Sequence, residues 1–204
     1  MHLSVSGLSC HSSASLPTCL RMNRGLLQFF FAALLVLTAA GQSTRLYRIV
    51  MTDVDGDRVS TCDGHVTIVT VATRSNETKA HQVGDCVSNR YLGDAHYRLI
   101  TVVNFQKQIN SLFRPVASAI MRARLDSEAK RIQPIYGAKH LSRNPRQDLF
   151  AVADFDGTVT SAFGISSASD EFAVFLFDRR GHLLRRWRDV PPREELAAAL
   201  AAAL

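Results

Sequence analysis

The sequence predicts an α/β fold, with a mixed central β-sheet between two outer layers and a β-hairpin at the N-terminal end. The segment 65–71 is β-branched at almost every position, which is typical of a strand buried on both faces. Strands and amphipathic helices alternate after it, as they do where helical crossovers join parallel strands. The chain then forms an antiparallel hairpin around 178–181. Crossovers followed by a hairpin indicate a mixed sheet.

The predicted elements occur in the order ββ-β-α-β-α-β-β-β-α. The opening hairpin pairs 46–51 with a strand that starts at Arg58, because the intervening segment 53–57 is rich in Asp and Gly. The final helix begins after Pro191 and Pro192, since proline suits the first helical turn. The other predicted strands are 65–71, 97–103, 148–153, 172–177 and 183–187, and the other predicted helices are 75–91 and 114–131.

Residues 1–41 have the pattern of an export leader. The apolar run 26–37 is too short for a comfortable membrane span, which needs about 20 residues. Arginines precede this run and small residues follow it, as in a secretory signal peptide, and a start at Met22 gives the leader a normal length. The sequence therefore predicts a periplasmic or secreted protein with a single domain over 42–204. A membrane anchor formed by 26–37 is the alternative.

Composition limits the functional classes. Of the 204 residues, 47% are hydrophobic, which excludes a wholly disordered chain, and the four cysteines are too few for a disulfide scaffold. The formal net charge is +6, but Asp126 and Glu128 lie among the basic residues of 114–146, and Asp178 and Asp189 flank the basic segment 179–188. We interpret these segments as solvated faces, with contact to an anionic membrane surface as the alternative. No nucleic-acid partner and no stable oligomer are predicted.

Four segments of the chain carry a resemblance to a known family. They are the opening turn at 53–60, the strand and loop at 69–80, the segment 163–165, and the late strand with its turn at 174–181. These segments resemble the thioredoxin-like redoxins, in particular peroxiredoxin-like chains, and the nearest branch is the periplasmic, cysteine-less YtfJ-type proteins. The resemblance implies a thioredoxin-like three-layer sandwich, which agrees with the α/β class predicted from the pattern.

The resemblance also implies where an active site would lie. Redox-active members have a Cys-x-x-Cys motif at the start of the first helix, where the helix dipole stabilises a thiolate. The corresponding positions here are Ser75 and Thr78. The family's cis-proline would fall near Phe172, but no proline occurs between Pro145 and Pro191. The chain is therefore predicted to be a non-redox binding or interaction module.

The predicted binding surface is the degenerate active-site loop. It comprises Thr73, Ser75, Asn76, Glu77 and Thr78, and it lies at a helix start where free amides remain available. The expected partner is a protein or a small anionic ligand. No cofactor and no metal ion are expected, because the histidines lack paired ligand spacing and the Asp-rich hairpin turn lacks the spacing of a calcium loop.

Cys62 and Cys86 are the two cysteines outside the leader, and they support an alternative function. Cys62 precedes the central strand, and Cys86 lies about 16 Å back along the first helix from Ser75. A structural disulfide, two separate thiols and a catalytic pair all remain open. A catalytic thiol at either cysteine would make the protein a thiol oxidoreductase or a peroxidase.

Asp154 and Asp156 support a second, weaker alternative. The segment 154–158 follows an apolar strand and resembles the Asp-x-Asp-Gly-Thr motif of haloacid-dehalogenase phosphatases, in which one aspartate attacks phosphorus near Mg²⁺. Only 46 residues follow Thr158, which leaves little room for the later motifs of that family. An Asp-Gly turn after a strand is therefore the preferred interpretation, with a phosphatase as the weaker one.

Overall fold

The computed structural model describes residues 45–106 and 109–204. The predicted leader over 1–41, its start at Met22 and the alternative membrane anchor at 26–37 therefore lie outside the described residues. Within the part that is described, no helix combines the length and the apolar character needed to cross a membrane.

The described part of the chain contains seven strands and four α-helices. The strands are β1 (Val50–Thr52), β2 (Arg58–Ser60), β3 (Val66–Thr73), β4 (Tyr97–Asn104), β5 (Leu149–Asp154), β6 (Ala173–Phe177) and β7 (Leu183–Trp187). The helices are α1 (Glu77–Cys86), α2 (Arg114–Ala138), α3 (Thr158–Ala162) and α4 (Arg193–Ala203). Short 3₁₀ turns lie at Asn89–Tyr91, Ser111–Phe113 and Pro145–Asp148.

A five-stranded mixed sheet forms the centre of the fold, in the order β5-β4-β3-β6-β7. β3, β4 and β5 are parallel, whereas β6 is antiparallel to β3 and β7 is antiparallel to β6. β1 and β2 form a separate hairpin, in whose turn the Asp53 carboxylate accepts the backbone N–H groups of Asp55 and Asp57. The predicted α/β class, mixed sheet and N-terminal hairpin are thus confirmed.

β3 is the centre of the core, because all eight of its residues are buried. On one face of the sheet, Val66 and Ile68 pack with Val83 of α1 and with Leu196 of α4. α2 packs beside α1 and covers β4 and β5. The opposite face packs against the β1–β2 hairpin and against Phe163, which follows α3. The sheet is therefore the middle of three layers.

The first predicted helix is too long at its C-terminal end. Its predicted range, 75–91, contains α1 and a separate 3₁₀ turn, because Val87 is extended and donates its backbone N–H to the carbonyl of Gly84. The apolar stripe that predicted one helix is nevertheless buried in one cluster, since Val83 and Tyr91 both belong to it. The periodic pattern thus located the buried face and misplaced the helix end.

The second predicted helix is too short. The range predicted, 114–131, continues to Ala138 as α2, because Ile132 and Tyr136 extend the buried face of the helix by more than a turn. The helix passes through Pro134, which is exposed. Proline costs a helix one backbone hydrogen bond, and here the burial of the neighbouring side chains outweighs that loss.

Two smaller differences concern the ends of the hairpin and of β5. The first strand begins at Val50 rather than at residue 46, and Leu46 forms an isolated bridge with His182 instead. The short helix α3 has no counterpart in the predicted order. It starts after Gly157, whose φ of 75° ends the extended chain of β5. This helix positions the loop that covers the candidate site.

Candidate functional site

Three polar side chains end the parallel strands of the sheet. Thr73 ends β3, Asn104 ends β4 and Asp154 ends β5, and the register pairs Thr73 with Asn104 and Asn104 with Asp154. All three residues are buried. Ligands of α/β proteins commonly bind beyond the carboxyl ends of parallel strands. This edge of the sheet is therefore the first place to look for a site.

The loop 155–172 between β5 and β6 covers this edge. Asn104 holds the loop by donating from Nδ2 to the carbonyl of Ser167 at 3.0 Å, and its Oδ1 accepts the backbone N–H of Gln106 at 2.8 Å. Gln106 also donates from Nε2 to the carbonyl of Ser169 at 3.2 Å. Two amide side chains at the end of β4 thus fix the course of the loop.

Asp170 is the centre of the hydrogen-bond network that results. Its Oδ1 accepts from Thr73 Oγ1 at 2.6 Å and from Ser75 Oγ at 2.8 Å, and its Oδ2 lies 2.9 Å from the same Ser75 hydroxyl. Its backbone carbonyl accepts from Asn76 Nδ2 at 2.8 Å, while Asn76 Oδ1 accepts the N–H of Thr73 at 2.8 Å. We refer to Thr73, Ser75, Asn76 and Asp170 as the Asp170 cluster.

Three of the five residues predicted for the binding loop belong to the Asp170 cluster. The other two do not: Glu77 forms an ion pair with Arg124 of α2, and Thr78 is exposed in the first turn of α1. Sequence reasoning missed Asp170, because it is 97 positions along the chain from the Thr73 hydroxyl that it binds. The available signal was the polar run 166–171 directly before a fully buried strand.

The negative charge of Asp170 is stabilised by its neighbours. The hydroxyls of Thr73 and Ser75 donate to its carboxylate and hold the pKa of Asp170 below the usual value for an aspartate. Asp170 is exposed, so hydrogen bonds rather than a buried ion pair cause this effect. A carboxyl group with a lowered folded-state pKa stabilises the fold above its unfolded pKa, and this stabilisation is lost as the pH falls through the folded-state pKa.

Replacing Asp170 by asparagine is expected to lower the urea midpoint of unfolding at neutral pH, because charge-assisted hydrogen bonds become weaker neutral ones. The difference from wild type should shrink as the pH falls below about 4, the ordinary pKa of an aspartate in the unfolded chain, and on through the lower folded-state pKa of Asp170. Asp57→Asn removes an exposed carboxylate outside the cluster and is the control. A midpoint shift that is equal in both variants, or independent of pH, would contradict the assignment.

Cys62 and Cys86 are free thiols, and each is half-buried. The sulfur of Cys62, in the loop after β2, lies 3.4 Å from Ser60 Oγ, and Cys86 is the last residue of α1. Both cysteines precede the amino ends of the parallel strands that follow them, whereas the Asp170 cluster lies at the carboxyl ends. The length of β3 separates these two ends by roughly 25 Å. The structure thus has two separate thiols, which is one of the three arrangements left open by the sequence.

Asp154 and Asp156 make the hydrogen bonds that begin α3. Asp154 is 2% exposed and its Oδ2 accepts the N–H of Thr160 at 2.7 Å, while Asp156 Oδ1 accepts the N–H of Thr158 at 3.0 Å. The Thr158 hydroxyl and N–H lower the pKa of Asp156. Among the described residues, no group of three or more His, Cys, Asp or Glu side chains could hold a metal ion. These hydrogen bonds use one oxygen of each carboxylate, as in an Asp-Gly turn.

Comparisons with known proteins find a likeness in three-dimensional structure. No family model and no curated protein sequence match this chain. The exposed lipoprotein thioredoxin Etrx1 of Streptococcus pneumoniae is 15% identical, with 76% of this chain and 98% of that chain covered and a TM-score of 0.49. A putative thiol:disulfide interchange protein DsbE from Chlorobium tepidum is 13% identical (78% and 96% covered, TM-score 0.49). A peroxiredoxin-like protein from Aquifex aeolicus is also 13% identical (78% and 85% covered, TM-score 0.46).

The topology of this chain identifies its fold. Helices α1 and α2 connect the parallel strands β3, β4 and β5, and an antiparallel hairpin with a C-terminal helix completes the sheet on its other side. This is the element order that the resemblance to redoxins implied, with the short helix α3 added before the hairpin. The chain has a thioredoxin-like fold.

Proposed function

We propose that this protein is an exported thioredoxin-fold protein that binds a partner protein and performs no thiol redox chemistry. One observation carries the proposal: directly before α1, where redox-active redoxins have a thiol, the hydroxyl of Ser75 donates to the carboxylate of Asp170. Within the superfamily, the segments that resemble redoxins favour the cysteine-less YtfJ-type branch.

The chemistry of the available groups supports a role without redox turnover. A serine hydroxyl cannot form a disulfide, and the Asp170 carboxylate beside it would disfavour a thiolate at this place. Cys86 lies at the C-terminal end of α1, where the helix dipole disfavours an anion, and Cys62 lies in a loop after a strand. Neither thiol therefore has an environment that activates a cysteine.

A protein partner suits the Asp170 cluster better than a small anionic ligand, which is the second candidate. The Asp170 carboxylate already places a negative charge beside the start of α1, so a second anion would be repelled. The cluster is also preorganised, because both side-chain atoms of Asn76 and both Asp170 oxygens are engaged within it. A rigid, exposed acceptor of this kind can bind N–H or ammonium donors with little further loss of its own conformational entropy.

The export part of the proposal rests on the leader pattern in residues 1–41. Intact-mass analysis of the protein recovered outside the cytoplasm of a bacterial expression host tests it. A mass that lacks the leader would support export and cleavage, whereas a full-length chain retained in the cytoplasm would contradict them.

The absence of thiol chemistry is tested with insulin-reduction and peroxide-consumption assays on the purified protein. We expect turnover at the level of buffer, and we expect no change in the variants Cys62→Ser and Cys86→Ser, because neither thiol is activated. A thioredoxin run in parallel provides the positive control. Turnover that disappears in either cysteine variant would establish a thiol oxidoreductase or peroxidase and would end the non-redox proposal.

A further inference from the structure

An exposed apolar groove of about 510 Å³ lies next to the Asp170 cluster. Its floor is formed by buried side chains at the end of β4 and on α2, among them Phe105 and Met121. Its outer wall is formed by Phe113, Val116 and Ile120, which are 63%, 55% and 52% exposed. Contiguous exposed apolar surface of this kind marks an interaction site on a soluble domain. We refer to this feature as the α2 groove.

The exposed wall of the α2 groove is not needed for the fold. Phe113, Val116 and Ile120 follow helical spacing on one side of the helix, while Ala117 and Met121 point to the core from the next side. The first turns of α2 therefore carry two apolar faces, although the helix packs with only one. An unpaired apolar helix face of this kind is the arrangement used to bind a helical segment in a groove.

The charges around the α2 groove are positive. Arg74 and Arg124 line it, and the only acidic side chain among the described lining residues, Glu77, is already paired with Arg124. The Arg74 guanidinium has no carboxylate partner among the residues that the structure describes. An occupant with carboxylates would meet these cations.

From these observations we propose that the α2 groove binds an acidic amphipathic segment of a partner protein. The segment's apolar side chains would pack against Phe113, Val116 and Ile120, and its carboxylates would meet Arg74. The proposal rests on the proposed binding function and names the chemistry of its partner. Arg74 lies between two members of the Asp170 cluster in the sequence, so one partner could contact both features.

Two other occupants fit the α2 groove less well. A second copy of this chain would bring like charges together, because every charged residue of α2 before Asp126 is an arginine. A bilayer surface would attract these arginines, but a flat surface cannot fill a concave groove whose floor includes Phe105. A narrow amphipathic segment satisfies both the charge and the shape.

The test uses a synthetic amphipathic helix of about 18 residues, long enough to form a marginal helix, with leucines on one face and glutamates on the other. Its binding is measured by fluorescence anisotropy, beside a matched peptide with lysines in place of the glutamates. We expect Val116→Asp and Arg74→Glu each to weaken binding of the glutamate peptide about tenfold, and the lysine peptide to bind about tenfold more weakly. Val50→Asp and Arg58→Glu are the controls: Val50 is 52% exposed, and both residues lie on the hairpin.

Three other outcomes would overturn the groove proposal. Failure of the glutamate peptide to bind, or equal effects of the groove and hairpin variants, would show that the groove is not such a site. If analytical ultracentrifugation shows that the wild type is a dimer and that Val116→Asp is a monomer, the groove is assigned to a second copy. If phosphatidylglycerol vesicles bind the wild type but not Val116→Asp, and the glutamate peptide does not bind, the groove is assigned to a membrane surface. Cysteine-dependent turnover would instead overturn the non-redox function and leave the peptide result standing.

Discussion

Replacing Gly157 by alanine is expected to destabilise the fold by about 2–5 kcal/mol and to displace Asp170. Gly157 has a φ of 75°, which costs a residue with a Cβ atom about 1–2 kcal/mol. A Cβ atom here would also lie 2.1 Å from the Cβ of Ser167 and 3.4 Å from its Cα. Because the position of a Cβ atom is fixed by its backbone, relief of the clash with the Ser167 Cβ requires the loop that carries Asp170 to move.

Gly164→Ala provides a matched control for this substitution. Gly164 has nearly the same φ, 74°, but a Cβ atom built on it meets nothing within 4 Å. We therefore expect Gly164→Ala to cost only the conformational part, about 1–2 kcal/mol. Urea unfolding measures the destabilisation in both variants. The pH dependence of the urea midpoint that we attribute to Asp170 should weaken only in Gly157→Ala. Equal destabilisation by the two variants would show that the loop does not pack on Gly157 as described.

Placing cysteines at Ser75 and Thr78, in a Cys62→Ser/Cys86→Ser background, is expected to give a protein that forms an intramolecular disulfide. Ser75 lies just before the N-cap Asn76 and Thr78 lies in the first turn of α1, and a disulfide between these positions needs Cα atoms within about 7 Å. The first-turn amides of α1 would stabilise the thiolate that exchanges disulfides. Most of the protein should form this disulfide in an oxidising glutathione buffer. Mass spectrometry should show the disulfide as the loss of two hydrogen atoms.

The controls for this gain of function separate the helix start from cysteine content alone. A variant with Ser75→Cys only has one thiol and should form mixed disulfides with glutathione but no internal bond. Adding Asp170→Asn to the two-cysteine variant should lower the pKa of the new thiol at residue 75, because a neighbouring negative charge is removed. If the two-cysteine variant remains fully reduced, the start of α1 does not correspond to the redoxin active site.

Much of the fold could be predicted because its determinants are local. The β-branched run of β3, the Asp-Gly turn at 53–57 and the Asp-x-x-Gly turn at 178–181 indicated the central strand and the two hairpins. Helix ends were the weak point. The periodic pattern continues through Val87, where the backbone becomes extended, and α2 continues through Pro134 to Ala138, beyond its predicted end at residue 131. Helix ends depend on packing with distant residues, which periodicity does not contain.

The candidate site was only partly predictable. The resemblance placed Ser75 and Thr78 at the start of the first helix, and the sequence alone determined that neither is a cysteine. The pattern gave equal reason to choose Glu77 and Asn76, although Glu77 pairs with α2 and only Asn76 joins the cluster. Neighbours in sequence point in different directions at a helix start, so their roles are decided by what the rest of the fold places beside them.

By itself, therefore, the sequence determined the order of the strands and of the three longer helices, the α/β class and the chemistry missing from the loop at Ser75, since these follow from residue type and local spacing. Only the tertiary structure decided that Asp170 completes that loop. The register of β3, β4 and β5 aligns Thr73 with Asn104, and Asn104 holds the loop that brings Asp170 to the Ser75 hydroxyl. Contacts between residues 95 positions apart are created by strand pairing, and strand pairing is a property of the folded chain.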